Sequence, residues 1–209
     1  MARRLALIIF FLGLQLPLRS TAAVPPMTVD LDILIFSGTA WTEERLAERL
    51  GAINRVYAQC AVSLGHVAVQ TINPPTGEVN LYRDLAVEGP GGLRAAAIAL
   101  GPTPSLTLVL IRQFQEGLAG TAGIPRAYEN SFPEMVNRAW VTEEIFEPTY
   151  TNARDAGYVT EAHELAHILL NDNHLPAGQK GLMAARPEDV KGALSSNECA
   201  AIRASKFTH

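Results

Sequence analysis

A chain of 209 residues with 48% apolar side chains can bury one sizeable core, which excludes a chain that is disordered throughout. With 17 basic against 21 acidic residues and a net charge of −4, it lacks the cationic excess of nucleic-acid and anionic-membrane binders. No run of basic residues offsets that balance.

The first 23 residues predict an export signal. Arg3 and Arg4 precede an apolar run from Leu5 to Leu18, and Ser20, Thr21, Ala22 and Ala23 supply the small residues of a cleavage site. The run carries Gln15 and Pro17 and falls short of the roughly 20 residues that span a bilayer, so no membrane span is expected after cleavage. The mature protein is expected to be secreted or periplasmic. Cleavage near Ala23 removes Arg3, Arg4 and Arg19 but no acid, leaving residues 24–209 more acidic than the whole.

After Pro25 and Pro26, "MTVDLDILIFSG" alternates apolar and polar residues and then turns apolar, which predicts a strand entering a core. "TEERLAERLGAINRVYAQC" places Leu46, Leu50, Ile53, Val56 and Tyr57 at helical spacing, with Thr42 as the N-cap. "VSLGHVAVQTI" alternates again as a second strand and stops at the turn "NPPTG". A short helix over "GGLRAAAIAL" and a buried strand over "SLTLVLIRQF" follow.

"EGLAGTAGIPRAY" is rich in small residues, and Pro125 cannot donate to a ladder, so it suits an irregular edge strand or a loop. "NRAWVTEEIF" predicts one more strand, and a helix is expected from about Asp155 to Asn171. A loop, "HLPAGQKGLMAARP", leads to a closing helix from Ser196 to Lys206, capped by Ser195 or Ser196. This order predicts an α/β domain with a mostly parallel sheet and helices on one or both faces. Outside the cytoplasm two cysteines generally pair, so Cys60 and Cys199 are expected to form a disulfide joining the early helix to the last.

Chemistry concentrates in "HELAHILLNDNH", residues 163–174, which holds three of the five histidines. Helical residues four apart share a face, so His163 and His167 can aim both imidazoles at one ion. Glu164, one step round, reaches the same side and can take a proton from a water there, which is the mechanical content of HExxH. Val159, Ala162, Leu165, Ala166, Ile168, Leu169 and Leu170 make this helix apolar nearly all round, hence buried. Buried histidines and a buried glutamate need partners, and a zinc ion supplies them. A catalytic zinc commonly takes three protein ligands; the candidates for the third are His174, Asp172, Glu188 and Glu198. His66, in an alternating strand, reads as structural, and the terminal His209 as solvated.

The stretch resembles the signature of the metzincin clan of zinc peptidases, HExxHxxGxxH followed by a methionine turn. His163, Glu164 and His167 match directly, whereas the signature's glycine and third histidine would fall on Leu170 and Asn173. Asn171 and His174 keep the signature's internal spacing of three, and asparagine tolerates the left-handed conformation that ends a helix. The resemblance therefore implies a helix one residue longer, a reversal at Asn171 and His174 as third ligand. It also implies a methionine turn at Met183 and a substrate-binding edge strand over Gly120, Thr121, Ala122, Gly123 and Ile124.

The fold implied is a twisted mixed sheet with an antiparallel edge strand, packed on helices that include the histidine helix. An N-terminal subdomain would run to about residue 173 and a small C-terminal one, ending in a helix, from 174 to 209. The function implied is a monomeric secreted zinc endopeptidase acting on peptide or protein substrates, with Glu164 as general base. Two alternatives stand beside it: a thermolysin-like peptidase with Glu188 as third ligand, and an exported zinc-containing protein that binds peptides without cutting them.

Overall fold

The computed structural model describes residues 24–117, 119–146, 159–176, 178–184 and 192–209; the export signal expected at 1–23 lies outside them. In chain order the elements are β1 (Met27–Phe36), α1 (Glu43–Tyr57), β2 (Val62–Ile72), β3 (Asn80–Leu81), α2 (Leu93–Leu100), β4 (Thr107–Ile111) and β5 (Gln113–Phe114). There follow β6 (Gly120–Ala122), α3 (Pro125–Tyr128), β7 (Arg138–Thr142), α4 (Thr160–Leu170) and α5 (Ser196–Arg203). The sheet has the order β2-β1-β4-β7-β6, with β6 alone antiparallel to its neighbour, and β3 and β5 form a separate pair. The fold is thus α/β with a mostly parallel sheet and an antiparallel edge strand packed with helices.

The central strands explain the layering. In β4 all five residues are buried, as expected for a parallel strand covered on both faces. Leu108 and Leu110 face a core shared with Leu46 and Ile53 of α1, Leu165 and Leu169 of α4 and Ile202 of α5. Val109 and Ile111 face a second core with Leu93, Ala96 and Ala97 of α2 and with Phe114 and Trp140. Each such leucine, isoleucine or valine contributes about 1.5–3 kcal/mol on burial. β2 carries one outer edge of the sheet, and most of its residues are exposed or half-buried.

Caps and the disulfide close the ends. Thr42 accepts the Arg45 amide at the start of α1, and Ser195 and Glu198 form a reciprocal capping box on α5. Cys60 and Cys199 are bonded across 139 residues of chain, with Cα atoms 4.8 Å apart.

Some boundaries differ from the sequence expectation. The last strand ends at Thr142, and Glu143–Phe146 turn into a 3-10 helix that buries Ile145. The described part of α4 starts at Thr160; residues 155–158 lie outside the described residues. α5 ends at Arg203 rather than Lys206, because the Thr208 hydroxyl bonds the Ile202 carbonyl and the terminal backbone turns back onto β1. There Thr28 donates to His209 O at 2.7 Å, and His209 donates to Thr28 O at 3.0 Å.

Candidate metal centre

Helix α4 is buried from Thr160 to Leu169, so every polar side chain it carries must be accommodated inside the protein. Glu161, 1% exposed, receives a fork from Arg49 of α1, with Nε and Nη2 at 2.7 and 2.6 Å from its two carboxylate oxygens. The Tyr57 hydroxyl donates to the Ala162 carbonyl at 2.8 Å, and complete burial pushes its phenol pKa upward. These two contacts fix α4 against α1.

The helix stops at Asn171, whose left-handed backbone (φ 52°, ψ 44°) reverses the chain. The Asn171 side chain also accepts the Arg126 amide at 2.9 Å, tying the reversal to α3. The rotation added by one extra helical residue is taken up in the next three positions. His174 returns with its Nε2 3.2 Å from that of His163. The ligating atoms of His163, His167 and His174 all lie within 4.8 Å of one another.

The tautomers follow from backbone partners. His163 Nδ1 lies 2.6 Å from Leu182 O, and His167 Nδ1 lies 3.0 Å from Asp172 O. A carbonyl can only accept, so each Nδ1 carries the hydrogen and each Nε2 presents a lone pair to the common point. Desolvation lowers the His167 pKa to about 4, with the nearby His174 adding to the effect and the Asp172 carbonyl opposing it. His174, on the exposed side of the cluster, is lowered by the partial desolvation of its ring. Neutral imidazoles are the form that binds metal.

Three histidines so placed could hold a metal ion, and the spacing of one pair matches what zinc takes. Two nitrogens about 2.0–2.1 Å from one zinc stand roughly 3.3–3.4 Å apart at a tetrahedral angle, close to the 3.2 Å between His163 and His174. Facing lone pairs at that distance repel unless a cation or a proton lies between them. Among the described residues, neither Asp172 nor Glu198 joins this group. Asp172 Oδ1 accepts the Asn173 amide, Glu198 is engaged in the capping box, and Glu188 lies outside the described residues.

Met183 is 1% exposed, lies in the core shared with α4, and its carbonyl accepts the Leu175 amide at 2.8 Å. The same turn presents the Leu182 carbonyl to His163. The sequence expectation included Met183 but not the role of Leu182, since a backbone carbonyl leaves no residue signature.

β6, at the other edge of the sheet from β2, packs against α4. A Cβ on Gly120 would meet Glu164 Cγ and Oε1 at 2.7 Å, so glycine here leaves room for that carboxylate. Thr142 donates to Ala119 O, and Gly123 donates to Arg138 O. By the alternation of an antiparallel ladder, Gly120 and Ala122 turn their amides and carbonyls to the side of β6 that pairs with no strand among the described residues. The strand itself ends at Ala122. Gly123 adds its bond to Arg138, and the buried Ile124 leads into α3, whose first residue is Pro125.

No family model matches the chain, and no curated protein sequence does. The fold is similar to that of metalloproteinase-II from Bacteroides fragilis, with a TM-score of 0.51 and 18% identity over 87% of this chain. The match covers 54% of that protein, so the chain spans about half its length.

Proposed function

We propose that the protein is an exported zinc endopeptidase of the metzincin kind. The observation that carries this reading is the convergence of three imidazoles, two with backbone-fixed tautomers, beside a buried glutamate at an open strand edge. His163, His167 and His174 would hold the ion through Nε2. Zinc in such a site supplies Lewis acidity and brings the pKa of a water to about 7.

The remaining work falls to this chain's own groups. Gly120 and Ala122 pair with an extended substrate through their outward amides and carbonyls, which places the peptide along β6. Glu164 accepts the attacking water's proton on its carboxylate and then delivers it to the leaving amine nitrogen. Its closeness to Gly120 supports this role, since a peptide paired along β6 would then run beside the carboxylate. Met183 would form the methionine turn that the resemblance implies, and the Leu182 carbonyl beside it holds the His163 ring.

Export accords with the signal-like residues 1–23 and with the Cys60–Cys199 bond, since such bonds persist outside the reducing cytoplasm. Among the described residues no helix is long and apolar enough to cross a membrane. The similarity to a metalloproteinase fold supports the same reading. Replacing Glu164 by Gln tests it: the variant is expected to keep one zinc per chain and to lose peptide cleavage. Unchanged turnover in that variant removes Glu164 from the chemistry.

A further inference from the structure

A cavity of about 820 Å³ opens against β6 on the face of the sheet away from the histidines. We propose that this cavity is a specificity pocket for a large apolar or aromatic side chain of the substrate, a reading that rests on the peptidase function proposed above.

The parity of β6 puts it there. Gly120 faces Glu164, so Thr121, the next residue, faces the opposite side of the sheet, where it lines the cavity. A peptide paired along β6 obeys the same alternation. Side chains sharing the face of Gly120 lie over the histidines and Glu164, while those an odd number of positions away enter the cavity.

The walls select by chemistry. Leu85, Leu93 and Met135 form an apolar lining, with Leu93 and Met135 in the second core. Tyr128 and Phe132 stand edge to face, centroids 5.9 Å apart and planes at 68°, in a geometry that suits a third ring. Arg94 and Glu116, two of the four charged side chains in the lining, are already engaged. Arg94 bonds Glu134 at 2.8 Å and lies 5.0 Å over the Phe132 ring. Glu116 accepts the amides of Arg83 and Asp84. Arg83, Arg94, Asp84 and Glu116 also cancel in formal charge, which leaves apolar contact to discriminate between substrates.

The zinc-loaded protein is tested on a library of extended peptides and then on matched pairs carrying Phe or Ala at each position. The parent is expected to prefer Phe at least ten-fold in kcat/KM at one position. Ala86→Trp, which fills the cavity from an exposed wall position, and Tyr128→Ala, which removes a ring, should each shrink that ratio to below about three-fold. Binding of the same pairs to zinc-loaded Glu164→Gln, read by fluorescence anisotropy, should show the same preference without turnover. A parent that cuts peptides with an unaltered preference in both variants overturns the pocket and leaves the peptidase reading standing. A parent that cuts no member of the library overturns both.

Discussion

The Cys60–Cys199 bond joins the residues just after α1 to α5, and α5 packs through Ile202 into the core that holds α4. Reducing it to a pair of alanines leaves the folded contacts almost intact and frees the unfolded chain. For a loop of 139 residues the chain-entropy relation gives about 17 cal/mol/K, or roughly 5 kcal/mol at 25 °C. Measured values for native disulfides fall at about 2–5 kcal/mol, so the Cys60→Ala, Cys199→Ala variant is expected to lose that much. A domain has only about 5–15 kcal/mol in hand. The assay is urea unfolding of the oxidised parent and of the double variant, both zinc-free, with a slope of roughly 2 kcal/mol per molar. The midpoint should fall by about 1–2.5 M. A shift below roughly 0.3 M at an unchanged slope refutes the reasoning, since it would mean that the unfolded chain gains no freedom when the bond is lost.

Two further predictions concern the site. Gly120→Val places a side chain where Glu164 Cγ and Oε1 now stand, so the carboxylate must move. A displacement of about 1 Å costs on the order of 100-fold in kcat, with zinc content unchanged by metal analysis. The pH dependence of the metal-free protein follows from His167, whose pKa of about 4 lies below the ordinary 6.5. Between those values the unfolded chain takes up a proton that the folded one refuses. This contribution to stability is therefore full above about pH 6.5 and is lost as pH falls toward 4. A histidine NMR titration with its His167 midpoint near 6.5 would contradict this.

The pattern of apolar residues made most of the fold legible. β1, α1 and α2 lie where their periodicity puts them, because each buries a face against the sheet and its sequence must show it. The reversal at Asn171 was legible as well, since few residues other than glycine accept φ near 52°. The shortness of β6 was not, because Gly120 to Gly123 carry almost no side-chain pattern and their pairing is decided by β7. The return of the C-terminus to Thr28 is a backbone bond between distant residues, which no local window contains.

The site was legible in part, for the same reason. Spacing alone singled out His163, Glu164 and His167; it left four candidates for a third ligand, among which the resemblance to a known signature implied His174. The carbonyls of Leu182 and Asp172, which set the tautomers, belong to residues chosen for other reasons, and only the folded backbone brings them to the rings. The Arg49–Glu161 fork spans 112 residues and likewise left no local mark.

The central claim is that one zinc ion is held by three imidazoles. A crystal of the zinc-loaded protein measured at the zinc absorption edge tests it directly. A single anomalous peak is expected about 2.0–2.1 Å from Nε2 of each of His163, His167 and His174. A peak held by Glu188 with His174 turned to solvent, or no peak at this point, would contradict it.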